Sequence, residues 1–288
     1  MKWSAGNREN VEDLRGSSGG GLRMGGLGIG GVLLVLILSW ATGVDFLSLL
    51  DSGGGVGPGP AANTSSPGGE LRTTPDEERL VDFVDAVMRD AQQTWSSTLG
   101  GRYQPTRARV FRDAIQSACG SAQSATGPFY CPADQLVYLD LGFFKELQDR
   151  FRAPGDFAQA YVLAHELGHH VQHLLGIDTQ VRRLQQARPD QQNELSVRLE
   201  LQADCFAGVW GHRAAQPGRA AAGQVELERG DLEEGLNAAA AIGDDRIQRM
   251  AGTRVAPDRF THGSSQQRVE WFRRGFDSGD YKACETFQ

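Results

Sequence analysis

Histidines at positions 165 and 169, with a glutamate between them at 166, constrain this chain more than any other stretch. Two imidazoles four residues apart lie on one face of an α-helix, one turn from each other, so a helix here lets both rings converge on one metal ion. Glu166 then points toward the water that such an ion activates. The surrounding residues agree with a helix. Phe157, Ala160, Tyr161, Ala164, Leu167, Gly168, Val171, Leu174 and Leu175 recur at helical spacing, Asp156 is placed to cap the start, and Gly176 can end it in a left-handed conformation. The pattern is that of a zinc hydrolase carrying its own general base.

The chain has 288 residues, 40% of them hydrophobic, enough for one sizeable domain with attachments. A formal charge of -7 and the lack of a long basic block speak against a general nucleic-acid surface. Residues 24–44 form 21 positions without a charge, about the length that crosses a bilayer as a helix. Lys2, Arg8, Arg15 and Arg23 precede this run, and no Lys or Arg follows until Arg72. The positive-inside bias therefore predicts a cytoplasmic segment 1–23, a transmembrane helix 24–44, and the remainder in the periplasm or outside the cell. A cleaved signal peptide is the competing reading, weakened by the long preceding segment and the lack of a clean cleavage site. Residues 45–72, rich in Gly, Pro and Ser, read as a flexible linker, which leaves 73–288 as the folded domain.

All four cysteines fall after the span, where disulfides can form. Cys119 and Cys131 bracket a short Gly/Ser/Ala/Pro-rich loop and are the natural local pair, leaving Cys205 with Cys284 to fasten the C-terminal tail. Thr74-Pro75-Asp76-Glu77 announces the first helix through a capping box, and Ser264 with Gln267 announces the last. Asp231 with Glu234 marks another helix start, and a helix follows Pro189-Asp190. Residues 109–111 suit a helix or a strand, whereas 129–130 and 136–139 read as short strands. The second of these is a candidate sheet edge beside the metal helix, able to receive an extended peptide, with ordinary sheet core as the alternative.

Catalytic zinc takes three protein ligands and keeps a position open, so a third ligand must lie beyond His165 and His169. His173 does not qualify, because a straight helix advances about 12 Å over eight residues. His170 points away from the pair, and both extra histidines read as surface or packing residues. Glu200 is the better candidate: it stands on a separate predicted helix, with Asp204 one turn later to accept from a ligating histidine and fix its tautomer. Glu194 is the fallback. Asp244-Asp245 reads as a solvated pair at a helix end.

With these residues the chain resembles the gluzincin metallopeptidases, in which H-E-x-x-H is followed on a later helix by E-x-x-x-D, met here by His165, Glu166, His169, Glu200 and Asp204. It resembles more narrowly the bacterial neutral zinc metallopeptidases, which are membrane-tethered. That resemblance is carried by Asn10-Val11-Glu12-Asp13, by Pro128-Phe129-Tyr130-Cys131-Pro132, by the stretch from Ala164 to Gln172, by that from Glu200 to Gly208, and by Phe260-Thr261-His262-Gly263. It implies metallopeptidase activity, a Zn2+ cofactor and peptide or protein substrates, and it says nothing of oligomeric state. Late Thr-His segments of related enzymes imply an oxyanion-stabilising role for His262, with packing as the alternative. The expected fold is α+β, a mostly helical zincin-like domain with a small sheet, preceded by one transmembrane helix. The alternative function is a membrane-tethered zinc-binding or chaperone-like module without catalysis, for which Glu166 would have no use.

Overall fold

The computed structural model describes residues 1–16, 71, 73–123 and 127–287. Six strands and eight α-helices follow one another among them: β1 (Val11–Asp13), α1 (Pro75–Leu99), β2 (Ala108–Phe111), β3 (Ala114–Ser117), β4 (Gly120–Gln123), β5 (Phe129–Cys131), β6 (Leu136–Asp140), α2 (Gly142–Asp149), α3 (Asp156–Leu174), α4 (Ile177–Ala187), α5 (Gln192–Ala214), α6 (Asp231–Ala241), α7 (Asp244–Met250) and α8 (Ser265–Ser278). The mostly helical α+β expectation holds. The span expected over 24–44 and nearly all of the linker lie outside the described residues, and among those described no helix is long and apolar enough to cross a membrane.

Local chemistry explains most helix boundaries. At α1 the Thr74 hydroxyl accepts the Glu77 amide at 3.2 Å while the Glu77 carboxylate accepts the Thr74 amide at 3.0 Å, the reciprocal cap foreseen in sequence. Ser264 and Gln267 do the same for α8. Helix α3 starts differently from expectation. Gly155, at φ 119°, is its N-cap, and the cap comes from another helix: Glu234 of α6 accepts the Phe157 amide at 3.1 Å, while Asp156 faces the Met1 ammonium at 2.9 Å. Gly176 does end this region in the left-handed conformation, at φ 73°. The polar stretch after it is helix α4, whose Val181 is buried.

The main sheet runs β1-β2-β6-β5, with β1, β2 and β6 parallel and β5 antiparallel to β6. Residues 136–139 are therefore interior, because β6 lies between β2 and β5. The edge beside the metal helix is β5. Strands β3 and β4 form a separate hairpin, held to β5 by the Cys119–Cys131 disulfide. The second expected disulfide, Cys205–Cys284, ties the C-terminal tail to α5.

The main departure from the expected domain plan is the N-terminal arm. Residues 1–16, expected as a cytoplasmic segment apart from a domain beginning at 73, are built into that domain. Val11, Glu12 and Asp13 pair in parallel with Ala108, Arg109 and Val110, making the arm the outer strand of the sheet. Asp85 of α1, fully buried, accepts both the Asn10 amide at 3.1 Å and its side-chain Nδ2 at 2.9 Å. Gln92 donates to Asn10 Oδ1 at 2.9 Å, and Trp3 stacks edge-on against Phe83 with ring centroids 5.6 Å apart.

Helices α1 and α3 pack against each other and the sheet, and α3 is covered on its far side by α5 and α6. Trp95, Trp210, Tyr161, Phe157, Phe206 and Phe272 fill the space between helices. Two close approaches fix how α3, α5 and α8 sit against one another. A Cβ on Gly168 of α3 would stand 3.0 Å from the Ala203 carbonyl oxygen of α5, and one on Gly275 of α8 would stand 1.9 Å from the Cys205 carbonyl oxygen. Only glycine lets these backbones come so near.

Candidate metal centre

Because α3 and α5 touch at Gly168 and Ala203, the residue one turn before Ala203 on α5, Glu200, faces the His165–His169 pair. The imidazoles of His165 and His169 stand at right angles, with centroids 4.8 Å apart. Nε2 of His165 lies 3.1 Å from Glu200 Oε2, and Nε2 of His169 lies 3.4 Å from Glu200 Oε1. Donor atoms of the three residues fall within 4.8 Å of one another. Tetrahedral zinc with bonds near 2.0–2.1 Å separates its ligand atoms by about 3.3 Å, so both measured spacings suit two histidines and one carboxylate around a zinc ion. His165, His169 and Glu200, picked out from spacing alone, are thus brought together.

Charge reinforces the arrangement. Burial opposes ionisation of Glu200, but the imidazoles of His169, His262 and His165 outweigh it and hold its carboxyl well below the ordinary carboxylate range. Burial likewise pushes the His165 imidazole down, yet Asp204 and Glu200 overcome this and raise it to about 10. An ionised Glu200 between the two imidazoles offers a negative charge to a cation.

Asp204 stands where the sequence placed it, behind the first histidine. Its Oδ1 accepts from His165 Nδ1 at 2.8 Å, so the Nε2 lone pair of His165 is turned toward the metal position. Asp204 is itself clamped, by the Arg268 guanidinium on both oxygens (Nε to Oδ2 2.8 Å, Nη2 to Oδ1 2.9 Å) and by the Tyr161 hydroxyl. Sequence reading missed Arg268 and Tyr161. Arg268 belongs to α8, which close approaches at Gly208 and Gly275 bring onto α5.

Glu166, buried beside the histidines, has its carboxyl pushed up, chiefly by burial, against the opposing pull of His165 and His169. The backbone N–H of Tyr130 on β5 also pulls against this rise, which puts the general-base candidate beside the sheet edge. The free side of β5 therefore borders the site, one strand over from the edge that the sequence suggested.

His262 lies near enough to Glu200 for their charges to couple, and its imidazole is half-exposed. Asp244, set aside in sequence as solvated, is buried and organises this loop. Its Oδ2 accepts the amides of Thr261, His262 and Gly263 at 2.7, 2.7 and 3.1 Å, and its Oδ1 lies 3.2 Å from His262 Nδ1. The remaining candidates stand apart. His170 is buried between the Tyr130 hydroxyl and the Gln104 carbonyl and is pushed down to about 4, mainly by burial; His173 pairs with Asp178 at 2.9 Å; Glu194 pairs with Arg198 at the surface.

Comparison with known proteins agrees with this geometry. The family model described as "Putative neutral zinc metallopeptidase" matches residues 1–287. The chain is 47% identical to the uncharacterized protein YpfJ of Escherichia coli (strain K12) over 305 aligned residues, covering 100% of this chain and 99% of the relative. It is 42% identical to the uncharacterized protein Rv2575 of Mycobacterium tuberculosis (strain ATCC 25618 / H37Rv) over 223 residues, 76% of this chain and 74% of that one. No solved structure matches it.

Proposed function

The chain belongs to the family of putative neutral zinc metallopeptidases, and from that premise we propose that it is a zinc-dependent endopeptidase using His165, His169 and Glu200 as metal ligands and Glu166 as general base. One observation carries the reading: the three donor groups have the spacing of a zinc coordination shell, and a buried, proton-hungry carboxylate stands beside them.

Zinc bound there supplies Lewis acidity, polarising a peptide carbonyl and acidifying a water. The chain's own residues do the rest. Glu166, its carboxyl raised by burial, takes a proton from the attacking water and returns it to the leaving amine. The free edge of β5 can hold an extended substrate backbone by strand addition, which suits cleavage within a chain. His262, oriented by Asp244, donates a hydrogen bond to the oxygen that gains charge in the transition state. The uncharged run 24–44 supports attachment to a membrane, and two disulfides support an oxidising compartment for the folded body.

Two measurements on the purified protein test this: zinc content, and cleavage of an unbiased peptide mixture. Glu166→Gln should keep zinc and lose at least about a hundredfold in hydrolysis, because shape is kept and proton transfer is not. His165→Ala, His169→Ala and Glu200→Ala should each lower zinc occupancy. Full activity in Glu166→Gln would refute the mechanism, and stoichiometric zinc without any cleavage would favour a non-catalytic zinc module.

A further inference from the structure

The two histidines of the centre are oriented by different means. His165 is held by the charged Asp204. Behind His169 runs a neutral chain of amides. His169 Nδ1 lies 2.8 Å from Gln172 Oε1, and an amide oxygen can only accept, so Nδ1 carries the proton and the Nε2 lone pair faces Glu200. The orientation of the Gln172 amide is fixed in turn. Its Nε2 donates to the Leu199 carbonyl at 2.7 Å and to Gln202 Oε1 at 3.1 Å. Gln202 is fixed the same way, because its Nε2 donates to the Cys284 carbonyl at 3.0 Å.

Both glutamines are buried, at 0% and 4% exposure, so neither can trade these partners for water. Backbone carbonyls cannot donate, so the one at Leu199 fixes the direction of the Gln172 amide and the one at Cys284 fixes that of Gln202, which in turn faces Gln172. Reversal of either amide would leave a buried N–H without an acceptor and bring two carbonyl oxygens together. Cys284 is held to α5 by its disulfide with Cys205, next to Asp204. That bond is the covalent part of the hold on this carbonyl, beside the Thr286 hydroxyl, which donates to the Arg198 carbonyl at 2.8 Å.

We propose that Gln172 and Gln202 are positioning residues that set the tautomer of His169, and that the Cys205–Cys284 disulfide keeps their orientation by fixing the last acceptor. This rests on the reading of the site as a zinc centre. The disulfide thereby acts on metal affinity as well as on chain stability, although its sulfurs are not ligands.

The test uses the full chain and zinc alone, by chelator competition, with 15N-imidazole resonances of metal-free protein reporting the His169 tautomer. Gln172→Leu should lower zinc affinity about 10- to 100-fold, and Gln202→Leu and the Cys205→Ala/Cys284→Ala pair by about 3- to 10-fold, as expected for more distant links. In all three the Nδ1–H signature of His169 should fade. Gln172→Glu, which restores an acceptor, should recover most of the zinc affinity lost in Gln172→Leu. Structural roles alone would lower melting temperatures in these variants while leaving zinc affinity and the tautomer at wild-type values, and that result would overturn the proposal. If zinc fails to move the His169 resonances of the wild-type protein at all, the zinc-site reading itself falls. Zinc bound through His169 with unaltered affinity in Gln172→Leu and Gln202→Leu would sink the relay alone.

Discussion

The metal centre and the N-terminal arm are both built from residues distant in sequence, yet one could be read from the chain and the other could not. Each candidate ligand sits in a helix whose own residues declare it: His165 and His169 by their spacing, Glu200 by Asp204 one turn on. The arm declares nothing. Its strand is three residues long, and what holds it lies far away in the chain. Arg8 meets Glu78 at 2.7 Å and Asp82 at 2.6 Å, Arg15 meets Glu78 at 2.7 Å, and Asn10 meets Asp85. A motif states its partners within a short window, whereas a docked strand states only half of each interaction.

That difference bears on how charge is read. Arg8 and Arg15 count as signals for a cytoplasmic N-terminus while they are taken to be free, but in the fold they neutralise carboxylates of α1. A strand paired with β2 lies on the same side of any bilayer as β2, so the docked arm and the single crossing expected over 24–44 predict opposite accessibilities for the N-terminus. The corresponding prediction is all-or-none. Cysteines placed at the exposed positions Glu9 and Arg254 should react together with a membrane-impermeant maleimide in intact spheroplasts. Labelling of Arg254→Cys alone, with Glu9→Cys reached only after lysis, would undo the docked arm and restore the opposite-side topology.

Much of the site was legible because its chemistry is periodic. The three candidate ligands, the candidate base, the Asp204 partner, the Cys119–Cys131 disulfide and two capping boxes followed from short local spacings, and the Cys205–Cys284 disulfide from elimination. What stayed hidden depended on packing. Arg268 reaches Asp204 because Gly208 and Gly275 let α5 and α8 touch, and Asp244 looked solvated until the Thr261–Gly263 loop folded over it. Gln172 is the exception. It stands three residues after His169 on the same helix face, so its role was within reach of the spacing argument. Sheet edge and sheet core stayed open for residues 136–139 because strand order is a non-local property, and β6 carries the same alternation whether or not β5 covers it.

If the centre serves chemistry and the arm serves folding, their variants should separate. His262→Ala should reduce turnover by tens to hundreds of fold, corresponding to about 2–3 kcal/mol of transition-state stabilisation, with zinc content and melting temperature unchanged. Asp85→Ala should do the reverse. It strands two donors of Asn10 and the Arg89 guanidinium, which lies 3.3 Å from the lost carboxylate. That should cost about 3 kcal/mol and roughly 5–10 °C in melting temperature, with zinc affinity of the folded protein intact. Loss of zinc affinity in Asp85→Ala, measured where the variant is fully folded, would show that the two regions are coupled.

The smallest effect concerns pH. Hydrogen bonds from Arg8 and then Arg15 hold the Glu78 carboxyl down to about 2, against an ordinary value of 4.5. A depressed carboxylate stabilises the fold above its unfolded value, and that contribution is lost as pH falls through the folded one. Glu78 remains about a third exposed, with 34% of its side chain accessible. Solvent screening should therefore limit its contribution to about 1 kcal/mol. The difference in unfolding free energy between wild type and Glu78→Gln, followed by denaturant titration, should be constant from pH 7 to 6 and narrow measurably by pH 3.5. High salt should narrow it at every pH, since these pairs meet solvent. A difference that stayed fixed from pH 6 to 3.5 would mean that the arginines hold the arm through packing of their stems and not through their charge on Glu78.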